Sequence, residues 1–288
     1  MLQGSQLLTV GEACSLACTL EATAPKAGNV YPGKAFDNLS ILDFLAAASV
    51  CGHVLSNAGE QPVGRLVWQL VHRSRGVTQS NANLGIALIL APLAKAACAN
   101  EADRSIEYLR VQTGKVLNQL EGEDGRWVYE AIRTASAGGL GSVESLDVRE
   151  PQPQVDLMAA MQSAADRDQI ANLYATGFRD LFDVVVPRLR EAIVCQKDLL
   201  RGITHGQIIL LSEQPDSLIA RKCGHLVAND VRQRADQCRH NGGVHCEDSH
   251  WIEFDTWLRA DGNRRNPGTT ADLIAGGLFV LLRSSFER

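Results

Sequence analysis

The chain has little of what marks several common protein classes. Aromatic residues are 5% of its 288 positions, so it lacks the stacking surface of a single-strand binder. Its net charge of -5 gives it no excess of cations with which to neutralise a nucleic-acid backbone. No apolar run approaches the ~20 residues that span a bilayer. No basic residue precedes Lys26, and Glu12 interrupts the amino-terminal apolar stretch, which argues against a signal peptide and for a cytoplasmic protein. Runs with a two-residue apolar period, rich in valine and threonine, are nearly absent, so a sheet is not expected. Eight cysteines are present, but in a chain of this length without export signals they read as reduced, small apolar residues.

What is present is helical spacing. Leu7, Val10, Cys14, Ala17 and Leu20 recur three or four apart, as do Ile41, Phe44, Leu45, Ala48 and Cys51 behind the cap residue Ser40. Leu66, Val67, Leu70 and Val71 suggest a third helix. Leu84 to Ala99 is apolar nearly all round, as is Leu273 to Leu282, and helices of that kind belong inside a bundle. Pro92 falls within the first of these runs, where it is expected to kink the helix. Further helices are expected at about 101–120, 125–135, 155–165, 167–195, 196–212, 215–240 and 250–260. The expectation is one all-α, multi-helix bundle over residues 1–288, with 84–99 and 271–283 at its centre. Residues 136–153 hold Gly138-Gly-Leu-Gly141 and no periodic apolar positions, and read as a loop that closes over a site.

The most informative stretch runs from Asp255 through Arg259, Asp261, Arg264 and Arg265 to Asn266-Pro-Gly268-Thr-Thr-Ala-Asp272-Leu. Thr269 and Asp272 have the spacing of a capping box, although the fourth residue is usually Glu or Gln. Free N–H groups at the start of a buried helix, beside a loop with three arginines, suit a phosphate.

This stretch resembles the carboxy-terminal signature of the triphosphoribosyl-dephospho-CoA synthase family. Ala24-Pro-Lys26-Ala-Gly28-Asn29 is similar to that family's amino-terminal Pro-Lys-Pro-Gly segment, with Ala27 in place of the second proline. Gly76-Val-Thr-Gln-Ser80-Asn81-Ala-Asn83-Leu-Gly85 is similar to its central motif, but has no His-Lys where the best-known members carry Asn-Thr-His-Lys-Gly. That departure resembles a divergent branch of tetrahydromethanopterin-type one-carbon metabolism. The resemblance implies transfer of triphosphoribose from ATP to a hydroxyl of dephospho-CoA, with release of adenine. An enzyme of one-carbon cofactor biosynthesis with another acceptor, and a non-catalytic helical binding protein, are the alternatives.

Breaking a ribose–base bond builds positive charge on the sugar, which calls for nearby carboxylates. Asp168, Asp261 and Asp272 are the catalytic candidates, with Asp255 as a further one. A triphosphate calls for cations, helix ends or Mg²⁺. Lys26, Arg221, Arg259, Asn266, Gly268 and Thr269 are assigned to it, and Ser80, Asn81 and Asn83 to the ribose, base or phosphates. Asp166 and Asp168 form the candidate Mg²⁺ pair. Small-molecule nucleotides, ATP among them, are the expected partners, with neither nucleic acid nor membrane; a homo-oligomer is compatible with this. Cys223, His225, Cys238, His240, His245, Cys246 and His250 crowd together, but their spacings fit no structural zinc pattern. Lys26, Asn81, Asn83, Asp168, Arg221, Asp261 and Asp272 are expected to converge on one cleft, because each lies at a loop or helix end beside an apolar helix.

Overall fold

A computed structural model describes residues 8–78, 83–136 and 156–284, and the described residues form helices with no strand. The expected closing loop at 136–153 falls almost wholly outside them, as do Ser80 and Asn81. Among the described residues fourteen α-helices follow one another: α1 (Val10–Thr23), α2 (Ile41–Leu55), α3 (Val63–Val77), α4 (Leu84–Cys98), α5 (Ile106–Asn118), α6 (Gly122–Ser136), α7 (Leu157–Ala164), α8 (Gln169–Ala175), α9 (Val186–Gln196), α10 (Leu199–Glu213), α11 (Ser217–Cys223), α12 (His225–His240), α13 (Ser249–Arg259) and α14 (Gly268–Arg283).

The two apolar runs do what their composition demands. α4 and α14 lie against each other, and Ile89, Leu90, Leu93, Ile274, Phe279 and Val280 are fully buried between α1, α3, α5 and α9. A second apolar cluster joins Ile208 and Leu211 of α10 to Ile219, Val231, Trp251, Phe254 and Leu258 of α11–α13. α10 supplies residues to both clusters, which fixes α11–α13 against the rest.

Two expected helices are divided. The stretch 167–195 breaks where Gly177 and Phe178 both take positive φ, after which a π turn at Leu181–Val185 leads into α9. The stretch 215–240 breaks at Gly224, whose φ of 90° closes α11 and opens α12. The expected helix at 101–120 begins only at Ile106, because Ser105 caps it by accepting from the Tyr108 amide.

The expected capping box at Thr269 does not form. α14 begins two residues earlier than such a cap would place it, at Gly268 behind Pro267. Its exposed amides are met from another helix instead. Asp216, at the N-cap of α11, accepts from both the backbone N–H and the hydroxyl of Thr270, at 2.7 and 2.8 Å. Thr269 turns its hydroxyl to Ser217, 3.1 Å away. With Asp216 doing the capping, Asp272 is released from that duty.

Candidate active site

Four helix ends meet around Asp272. α1 brings Glu21 near its carboxyl end, α8 brings its N-cap Asp168, α11 brings Asp216 and Arg221, and α14 brings Asp272 just past its first turn. The Asp272 side chain makes no hydrogen bond and no ion pair among the described residues. Burial, and then the charges of Glu21, Asp216 and Asp168, hold its carboxyl well above the usual carboxylate range, with Arg221 opposing them. Asp272 thus presents a partly exposed carboxyl with free oxygens and a raised pKa, unlike Asp216, which is engaged as a cap.

The other acids are engaged. Asp216 is fully buried and also accepts from the Ile219 amide at 3.0 Å; burial raises its pKa despite these bonds. Asp168 caps α8, accepting from the amides of Ile170 and Ala171 through one oxygen, while the other meets Arg221 at 3.3 Å. Glu21 is paired at 2.8 Å with Lys26, whose ammonium has no exposure and also donates to the Glu21 carbonyl. Lys26 is therefore not an exposed phosphate-binding lysine; it neutralises the carboxylate that faces Asp272.

Gly85 explains how Asp272 fits. A Cβ at position 85 would lie 1.9 Å from Asp272 Oδ2 and 2.9 Å from Ile170 Cδ1. At this glycine the close approach is made by the carboxylate itself. Gly85→Ala should push the Asp272 side chain aside, lowering turnover by an order of magnitude or more. Stability should change little, because alanine adds about 1 kcal/mol of helix propensity against the local clash. Equal turnover in wild type and Gly85→Ala would show that the position of this carboxylate does not matter.

Beside the mouth lie cations with free donors. Arg221 is exposed and reaches Asp168 only at 3.3 Å. Lys222 makes no ion pair among the described residues, and partial burial together with Arg221 pulls its pKa down. Arg264 donates to the Lys222 carbonyl at 3.0 Å, and Arg265 lies over the Trp257 ring at 4.2 Å.

The remaining candidates sit elsewhere. Arg259 grips Asp255 at 2.8 and 2.9 Å and donates to the Asn29 carbonyl. Asp255 also accepts from the Gly28 amide at 2.7 Å, and Asn266 from the Asn29 side chain at 3.2 Å. Gln207, unremarked in the sequence, binds Ala27 on both its N–H and its carbonyl, and Asn29 besides. These residues clamp the 26–29 loop rather than present themselves to a ligand. Gly268 backs onto Leu218, where a Cβ would lie 2.5 Å from Cδ2. Asn83 is buried and donates to Ser74 at 3.2 Å. Asp261 stands apart on the exposed turn between α13 and α14, 3.9 Å from Arg264, and Asp166 is exposed.

Of the seven residues expected to converge, Asp168 and Arg221 pair directly, and the charges of both act on Asp272. Lys26 joins them through Glu21; Asp261 and Asn83 do not join, and Asn81 lies outside the described residues. Glu21 and Asp216 are the site residues that no family-like motif marks. A Pro-Asp-Ser sequence ahead of an apolar turn was the available signal for Asp216.

The Mg²⁺ pair finds no support in the donor set. No group of three or more His, Cys, Asp or Glu among the described residues could hold a metal ion. Asp168 already has both oxygens occupied. No described helix is long and apolar enough to cross a membrane.

A family model described as CitG, ATP:dephospho-CoA triphosphoribosyl transferase, matches residues 8–287. Among solved structures, one of a candidate triphosphoribosyl-dephospho-CoA synthase from Archaeoglobus fulgidus superposes with a TM-score of 0.66 at 21% identity. The match covers 84% of this chain and 100% of that one, and likeness at this identity carries the fold. No curated protein matches the sequence.

Proposed function

Because the chain belongs to the CitG family of ATP:dephospho-CoA triphosphoribosyl transferases, we propose that it moves triphosphoribose from ATP to a dephospho-CoA hydroxyl at the mouth around Asp272. The observation that carries this placement is the unengaged carboxyl of Asp272, set among three other acids, with Arg221 and Lys222 beside it. The ribose–adenine bond breaks and its electron pair leaves with the base. The acceptor hydroxyl forms the new bond to the sugar carbon, and its proton passes to Asp272. Adenine finally carries a proton in place of the sugar.

Negative charge from Asp272, with Glu21 behind it, favours the developing sugar cation. The Lys26 ammonium offsets the Glu21 charge, which limits the repulsion felt by Asp272. Arg221 and Lys222 are suited to the triphosphate. Magnesium, where it enters, arrives on the phosphates, since the described residues build no cage for it.

Incubating the protein with ATP and dephospho-CoA should release free adenine and a nucleotide product heavier than dephospho-CoA by one triphosphoribosyl group. ADP formed without adenine would identify a kinase-type reaction and refute this reading. Adenine released with ATP alone, at the same rate, would refute the acceptor.

A further inference from the structure

The far end of α14 carries a second concentration of charge. Arg283, the last residue of that helix, is 4% exposed, and its Nη1 donates to the Leu8 carbonyl at 2.6 Å. Its Nε is buried with no hydrogen-bond partner. Arg104, just before α5, directs Nη2 at the same carbonyl, 3.3 Å away. Two guanidinium groups thus share one neutral acceptor, and among the described residues neither has a carboxylate partner. Burial first, and then the charge of Arg104, depress the Arg283 pKa; Glu101, Cys98 and Cys14 pull the other way.

Of the nearby acids, Glu101 acts on Arg283 only through space, with no ion pair among the described residues. Asp103 turns one oxygen to the amide and hydroxyl of Ser105, at 3.0 and 2.9 Å. Both arginines line a narrow recess with Asp103, Ser105, Tyr108 and Ser284, at the amino-terminal end of α5. A buried guanidinium without an anion is costly, and a planar fork beside a helix N-terminus is suited to an oxyanion.

We infer that this recess binds a small oxyanion, such as phosphate, held between Arg104 and Arg283. It is separate from the transfer site. Eleven steps of α14, about 16 Å of helix, separate Arg283 from Asp272, and the side chains between them include the buried Ile274, Leu278 and Phe279.

The test is thermal unfolding in inorganic phosphate against chloride at equal ionic strength, on wild type, Arg104→Gln, Arg283→Lys and Arg221→Gln. Saturating phosphate should raise the Tm of wild type and of Arg221→Gln by about 2–4 °C. Arg104→Gln should lose that rise while keeping wild-type turnover. Arg283→Lys keeps the charge but lacks the fork, and should respond weakly; if it does not fold, Arg104→Gln decides the matter. No rise in wild type, an equal rise in Arg104→Gln, or a loss confined to Arg221→Gln would each overturn the inference.

Discussion

Asp272→Asn is expected to lower adenine release by at least ~100-fold with the fold intact. The substitution keeps shape and most hydrogen-bonding capacity but removes the charge proposed to face the sugar. If Asp272 only capped its helix, the change would cost about 1 kcal/mol or less of stability and spare turnover. The capping is done by Asp216, so stability should not fall.

It should rise at neutral pH, and the sign follows from the direction of the pKa shift. The unfolded carboxyl releases its proton near its ordinary value of 3.8, whereas the folded one holds it to a higher pH. Above that ordinary value the native state binds more protons than the unfolded state, so this group makes stability fall as pH rises through the window up to the raised folded value. An asparagine side chain has no such loss. Unfolding curves of the two proteins should therefore coincide near pH 4 and diverge toward neutrality, with Asp272→Asn the more stable. Curves that diverge the other way would mean that the carboxylate is stabilised in the fold.

Lys26→Met is expected to be the most damaging single change to stability. It leaves the Glu21 carboxylate, 4% exposed, buried without its cation. Removing one partner of a buried pair costs about 3–5 kcal/mol, a fall in Tm on the order of 10 °C for a domain of this size. Replacing both partners, as in Lys26→Met with Glu21→Leu, should recover much of that loss, since an apolar pair has no charge to desolvate. Turnover should stay low in the double variant, because the second acid behind Asp272 is gone. A single variant as stable as wild type would mean that water reaches this pair.

These residues also indicate how far the sequence could be read. The central helices were legible because α4 and α14 are apolar on every side, and only burial accommodates that. Asp272 and Gly85 were legible as candidates, but not as a pair, because their contact spans two helices far apart in the chain. Lys26 read as a loop cation since its partner Glu21 belongs to the end of the preceding helix. The Asp255–Arg259 pair has the four-residue spacing of a helical ion pair, a signal that pointed to structure rather than phosphate. The breaks at Phe178 and Gly224 were hidden because the apolar pattern continues across both. Asp216 escaped notice for a related reason: its capping of α14 is a tertiary contact, and it displaced the local capping box that the spacing of Thr269 and Asp272 suggested.

The account rests on Asp272 standing at the sugar, and a crystal structure of the Asp272→Asn protein with ATP and dephospho-CoA tests this most directly. With turnover slowed, the ribose should sit against the amide side chain at position 272, beside Gly85, and the triphosphate should run toward Arg221 and Lys222. Nucleotide bound anywhere that leaves position 272 out of contact with the ribose would contradict the account.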